Sequence, residues 1–213
     1  MLYIFSNDRN DASVVAEIFY YLGIVTASMA YSDWSGGDIP QCYRATLLIS
    51  PDSSPAVGLI VKATLRAGAI PFVISDTVTP ELPDGAIAVP SSCAYPALPA
   101  FIEDTMHRLG KRAPGEYLAA GICSHRLDPL VFADGRTLKL TKTELMIVRY
   151  LCASYPERRC AAQILSFAFR GSKRPEVSNI RTHVSLINKK AEATLGRHLI
   201  SSVPREGYTI LDA

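Results

Sequence analysis

Residues 177–191 read VSNIRTHVSLINKKA. Val177, Ile180, Val184, Ile187 and Ala191 recur at steps of 3, 4, 3 and 4, the stripe of a helix that buries one side. The other sides carry Ser178, Arg181, Thr182, Ser185, Asn188 and Lys189. Hydroxyls, an amide, a guanidinium and an ammonium are the groups that read base edges and grip phosphates. A helix with an apolar edge and a polar, cationic remainder needs a body to hold that edge.

The flanking sequence supplies one. Residues 170–175 (RGSKRP) form a basic, polar loop before this helix, which starts near Glu176. Residues 161–169 predict a shorter helix with Ile164, Leu165, Ala168 and Phe169 as buried candidates. Thr141-Lys142-Thr143-Glu144 matches a capping box, in which the Thr141 hydroxyl and the Glu144 carboxylate satisfy each other's backbone amides. It opens a helix with Leu145, Val148, Leu151 and Cys152 as its apolar stripe and Pro156 as its end. Upstream, residues 117–140 (YLAAGICSHRLDPLVFADGRTLKL) read as short strands with a hairpin turn at Ala133-Asp134-Gly135. Downstream, residues 199–203 and 208–211 are β-rich runs around Pro204-Arg205-Glu206-Gly207, a small hairpin.

Strands, three helices with a polar-faced third, then a hairpin: over about 117–213 this resembles the winged helix-turn-helix effector domain of the OmpR/PhoB response-regulator family. LTKTELMIVRYL resembles the opening of the family's first helix. SNIRTHVSLINKKA resembles its recognition helix, with His183 and Ser185 in the His-x-Ser positions and Lys189-Lys190 in the basic ones. LISSVPREGYTI resembles the wing, with Gly207-Tyr208 matching its Gly-Tyr. The resemblance implies double-stranded promoter DNA as partner. Contacts would come from Ser178, Arg181, Thr182, His183, Ser185, Asn188, Lys189 and Lys190 on the third helix, Arg205 and Tyr208 on the wing, and Arg159 before the second helix. The family usually has Asp where Arg181 stands and basic residues where Leu186 and Asn188 stand, so a consensus site is not implied. Arg181 is expected to read a guanine, Lys189 and Lys190 to grip phosphates, and Leu186 to pack. His183 is open between packing, phosphate bonding and base reading; Arg205 is open between minor-groove entry and a solvated turn. Cys160 falls at the N-cap of the second helix after Arg158-Arg159, either an oxidisable thiol or simply a tolerated small residue.

The N-terminal half alternates short apolar runs with helical patterns. Strands are expected at residues 2–5, 25–29, 46–49, 71–74 and 86–89. Helices are expected after Asn10 or Asp11, with Ala12, Val15, Phe19 and Leu22 on one side, over residues 55–67, and over residues 96–109, with Leu98, Ile102, Thr105 and Leu109 on one face. The Gly-Gly and Pro in residues 34–42 leave any second helix short or broken. Such alternation implies a doubly wound parallel sheet covered on both sides, and over about 1–110 it resembles a response-regulator receiver domain. A receiver phosphorylates an aspartate at the end of its third strand, with acidic residues after the first strand, a hydroxyl after the fourth and a lysine after the fifth. Here the corresponding positions hold Ser6, Asn7 and Asp8, then Ser50 with Asp52 two residues on, then Ser75, then Pro90-Ser91-Ser92 without a cation. Pro80 and Pro83 between the fourth and fifth strands predict that the fourth helix is reduced or missing. The expectation is a pseudo-receiver that binds no magnesium and is not phosphorylated by the usual route. The alternative is a conventional phospho-regulated protein using Asp8 and Asp52.

Whole-chain properties agree with two modules. The 213 residues and 23.2 kDa suit two domains, 1–112 and 117–213, joined through residues 110–115 (GKRAPG). Residues 1–116 carry a net charge of −5 and residues 117–213 one of +7, a basic module beside an acidic one. No apolar run is long enough for a membrane span, and the acidic start MLYIFSNDRND does not read as a signal peptide. Cys42, Cys93, Cys123, Cys152 and Cys160 are scattered without Cys-x-x-Cys, so neither disulfides nor structural zinc are expected. Ser6, Ser50, Ser75 and Ser91 offer hydroxyls without a nearby base, and no Gly-rich phosphate loop occurs, which counts against an enzymatic or small-molecule-binding α/β domain. The expectation is a cytoplasmic, non-enzymatic transcription regulator without metal or cofactor. It would be a homodimer through the receiver-like domain, with RNA polymerase as a candidate further partner.

Overall fold

The computed structural model describes residues 1–41, 43–51, 55–75, 82–125, 128–132, 134–169 and 176–212. The chain separates into two compact units, Met1–Pro114 and Gly115–Ala213.

The first unit holds strands β1 (Leu2–Phe5), β2 (Thr26–Met29), β3 (Ala45–Ile49), β4 (Ile70–Ile74) and β5 (Ile87–Ala88), and helices α1 (Arg9–Tyr21), α2 (Pro55–Arg66) and α3 (Leu98–Arg108). The strands form one sheet in the order β2-β1-β3-β4-β5, with all pairings parallel. Every residue of β3 is buried, as a central strand with crossovers on both faces requires. Alternation along the strands divides the core. Leu2, Ile4, Ala45, Leu47, Ile49 and Phe72 face Ala12, Val15 and Phe19 of α1 and Leu98, Ile102 and Met106 of α3. On the other face Thr46 meets Thr64 of α2 at 3.1 Å between hydroxyls, and Ile60 and Val61 are buried there.

The crossover between β2 and β3 is reduced, as its glycines and proline imply, and residues 76–81 of the one between β4 and β5 lie outside the described residues. Between β2 and β3 the helical content is one turn, Tyr31–Asp33. Between β4 and β5 no helix occurs among the described residues. Two details differ from expectation. The cap of α1 is Asp8, not Asn10 or Asp11: its backbone is extended, and its carboxylate accepts from the amides of Asn10 at 2.7 Å and Asp11 at 3.4 Å. Leu109 is 50% exposed because it caps α3 beyond the last buried turn.

The second unit opens with an antiparallel sheet, β6 (Glu116–Ala119), β7 (Ile122–His125), β8 (Leu130–Phe132) and β9 (Thr137–Leu138). Asp134 and Gly135, the latter at φ 81, lie in the β8–β9 turn; Ala133 lies outside the described residues. Helices α4 (Lys142–Ser154), α5 (Ala161–Ala168) and α6 (Val177–Leu195) follow, then a hairpin of β10 (Ile200–Val203) and β11 (Gly207–Ile210). The Thr141–Glu144 capping box is formed. Burial of α4 extends beyond its apolar stripe: Arg149 is wholly buried and donates from Nε and Nη2 to the Ser124 hydroxyl at 3.1 and 2.7 Å, tying α4 to β7. On α6, Ile180, Val184, Ile187, Ala191 and Leu195 are buried. Val177 is 55% exposed instead, in the first turn of the helix. The fold is therefore a receiver-like parallel sheet lacking a described fourth helix, followed by an α+β winged helix-turn-helix unit.

Candidate nucleic-acid interface

The 19 residues of α6 make a rod about 28 Å long at 1.5 Å per residue. Ser178, Arg181, Thr182, Ser185 and Lys189 are all exposed. Their spacings of 3, 1, 3 and 4 put them on one side of the helix, opposite the buried stripe. Ser178 donates its hydroxyl to Glu176 at 3.2 Å, and Thr182 donates to the Ser178 carbonyl at 3.5 Å. Arg181 and Lys189 have no acidic partner among the described residues, so both heads stay open to an anion. Leu186, expected to pack, is 44% exposed beside this face, leaving an apolar spot on a polar surface.

Two expected contact residues are committed inside the unit. The Asn188 amide oxygen accepts from the backbone amides of Leu199 at 3.0 Å and Ile200 at 2.9 Å, and its nitrogen donates to the Ile200 carbonyl at 2.9 Å. That clamp holds the first wing strand to α6 and leaves little of the amide for a base. Lys190 reaches the opposite way, placing Nζ 2.6 Å from the carboxylate of buried Glu144. Burial pushes the Glu144 carboxyl up, but bonds from Lys190 and from both the amide and hydroxyl of Thr141 outweigh it and hold the group below the ordinary glutamate range. Lys190 is thus a tether between α4 and α6 rather than a free phosphate ligand. Sequence reasoning found Glu144 as a cap but not this second role, because its partner stands 46 residues away.

His183 is half-buried, its ring 5.3 Å from that of Phe169, with Nδ1 enclosed and without a bond among the described residues. Of its open readings, packing is the one this placement fits. The loop 170–175 lies outside the described residues.

The wing is fixed to the start of α5 by backbone. Arg159 and Tyr208 exchange two amide–carbonyl bonds of 2.9 Å each. Gly207 allows the approach: at φ 110, a Cβ there would lie 2.4 Å from the Arg159 carbonyl oxygen. The Arg159 side chain is three-quarters buried and paired with Glu157 at 2.6 Å, so it is less available to DNA than expected. Arg158 pairs with Glu206 at 3.3 Å. Arg205 is exposed at the wing tip, in left-handed backbone at φ 67; Tyr208 is half-buried. Cys160 is exposed at the N-cap of α5 and donates its amide to Gln163 at 2.9 Å. Cys152 is its opposite, a thiol that burial pushes up to about 12.

In the first unit, the receiver positions gather at the carboxyl ends of β1, β3 and β4, where an open parallel sheet places its crevice. Ser6 is buried and accepts from the Asp8 amide at 3.1 Å. Asn7 is exposed, and Asp8 is engaged as the cap of α1. Ser50 is exposed at φ 43, its amide donating to the Ile74 carbonyl at 2.8 Å. Ser75 is half-buried. Asp52 lies outside the described residues. Tyr31, not singled out from sequence, buries its ring here and donates to the Ile49 carbonyl at 3.3 Å. Among the described residues no group of three or more His, Cys, Asp or Glu is placed to hold a metal ion, and no helix is long and apolar enough to cross a membrane.

No protein-family model matches this chain, and no curated protein matches it. Solved structures do. DrrB, a Thermotoga maritima response regulator described as an OmpR/PhoB homologue, is 14% identical, with 98% of this chain and 97% of that one covered and a TM-score of 0.40. A structure from a family of streptococcal redox sensors evolved from two-component response regulators is 14% identical over 100% of both chains, TM-score 0.39. The DNA-binding domain of CpxR from E. coli is 19% identical over 46% of this chain and 97% of that one, TM-score 0.36.

Proposed function

We propose that this chain is an atypical response regulator of the OmpR/PhoB type that binds promoter DNA through α6 and the wing, without phosphorylation and without enzymatic activity. The observation that carries the reading is the outer side of α6. Ser178, Arg181, Thr182, Ser185 and Lys189 line one exposed face, the two cations are unpaired among the described residues, and the unit beneath them is basic, +7 over residues 117–213. Such a helix fits a major groove, with Arg205 at the wing tip reaching an adjacent phosphate or minor groove. Asn188 and Lys190 are left out of the contact set, and His183 and Arg159 move to a supporting role. The receiver-like unit would dimerise the protein and take a non-phosphate input, since Asp8 already caps α1 and a serine stands at the phosphoacceptor position. Work in the cytoplasm, with RNA polymerase as a further partner, belongs to the same reading.

The test is DNA binding across a salt series with the full chain. Affinity for duplex falls steeply as salt rises, because released counterions drive binding. Arg181→Ala narrows the gap between a selected site and random duplex, by about 1–3 kcal/mol of lost discrimination. Lys189→Ala weakens both duplexes alike and reduces the salt slope by about 1. Equal losses on both duplexes for both variants would contradict this division, and no retention of duplex at low salt would remove the reading.

A further inference from the structure

The helix α2 is the one α-helix among the described residues on its face of the sheet, with only the single turn Tyr31–Asp33 beside it. Its outer side is not that of a solvated helix. Leu59 is 54% exposed and Leu65 39% exposed. With Trp34, Gly36, Lys62 and Arg66 they line a depression of about 410 Å³. Gly58, on the same side of α2, has no atom within 4 Å of where a Cβ would stand, so another helix could approach there closely.

The rim carries both signs. Lys62 and Arg66 project from α2. Asp38 lies 3.7 Å from Arg66, in a pair whose side chains are 88% and 68% exposed. A ligand of one charge sign would meet repulsion on part of this rim. A two-fold related copy of the same surface would not, since each copy sets its cations against the other's carboxylate. Trp34 and the two leucines then supply the desolvated centre that carries most interface energy.

We propose that this face, α2 with the Trp34 loop, is the surface through which two copies of the chain associate, with Arg66 of each copy opposite Asp38 of the other. The inference rests on the dimer reading above and names its surface.

Sedimentation velocity on the full chain tests it, with tryptophan emission as a second readout, because Trp34 is the only tryptophan in the chain. The wild type should dimerise with rising concentration while Trp34 emission shifts to the blue. Leu59→Glu, Arg66→Glu and Asp38→Arg, all at exposed positions, should each weaken dimerisation by about ten-fold or more while keeping the parent's circular dichroism and melting temperature. An equimolar mixture of R66E and D38R chains should recover the dimer, since both cross-copy pairs become attractive again. A wild type that dimerises and a Leu59→Glu variant that dimerises equally well would overturn the surface and leave the dimer reading intact. A mixture that stays monomeric would overturn the two-fold pairing. A wild type monomeric at every concentration would overturn surface and dimer reading together.

Discussion

Glu144 shows how one residue can serve two structures. It closes the capping box of α4 and, almost fully buried, anchors Lys190 of α6. A buried carboxylate is tolerable only while it keeps partners, so Lys190→Met should cost about 1–2 kcal/mol, less than for a fully buried pair because the lysine head is partly solvated and the Thr141 amide still bonds the carboxylate. The same substitution should leave the salt slope of DNA binding unchanged, which a phosphate ligand would not. The pH dependence follows from the sign of the shift. The carboxyl is held below its ordinary value in the folded chain, so the unfolded chain takes up the proton first as pH falls. Its contribution is complete above about pH 5 and is lost as acid carries the group through its folded-state value. Urea midpoints measured from pH 6 downward should therefore fall, and Glu144→Gln should fall less. Parallel acid limbs in the two proteins would refute the assignment.

At the scale of elements, the wing is less a free hairpin than a strand pair held at two points. Asn188 holds β10 from α6, and Arg159 holds β11 from the start of α5. Gly207 sits where the second hold is made. Gly207→Ala puts a methyl into the Arg159 carbonyl in backbone that side chains rarely adopt. The wing should detach while the α6 core persists: fast amide exchange at Tyr208 and Arg159, with protection at Ile187 and Ala191 retained. Affinity for all duplexes should drop together, since the wing contributes position more than sequence choice. Exchange at Tyr208 equal to the parent's would show that the backbone accommodates the methyl.

The whole molecule joins residues 1–116, with a net charge of −5, to residues 117–213, with one of +7, the asymmetry that the proposed partition between control and DNA binding uses. Receiver-type phosphoryl transfer uses an aspartate as acceptor, and any such transfer needs cations around the oxygens in flight. The first unit has Ser50 at the acceptor position and Asp8 bonded into a helix cap. Incubation with magnesium and acetyl phosphate should therefore change neither the mass of the chain nor its affinity for DNA. A stable increment of one phosphoryl group, abolished by Asp52→Asn, would restore the conventional reading.

Much of this was legible in the chain alone. Periodicity of 3.6 marked α1, α3 and α6, Pro55 and Gly68 bracketed α2, Thr141-x-x-Glu144 marked the start of α4, and apolar runs of four or five residues marked the parallel strands, because burial and capping act over neighbours in sequence. Glycines and a proline in residues 34–42 announced the reduced crossover between β2 and β3 for the same local reason. Sequence could not say that Asn188 and Lys190 turn inward while Leu186 turns outward. Leu186 and Lys190 lie only about 40° apart around the helix and Asn188 stands at the other edge of the buried stripe, so only the neighbours, β10 and α4, decide which are covered. Nor could it show that Asp8 caps a helix or that α2 keeps an apolar outer side. Composition and spacing thus determined the division of the chain and the helix on which the proposed contacts stand. Tertiary structure alone decided which of its polar groups remain free, because a hydrogen bond between residues 46 positions apart leaves no periodic trace in the chain.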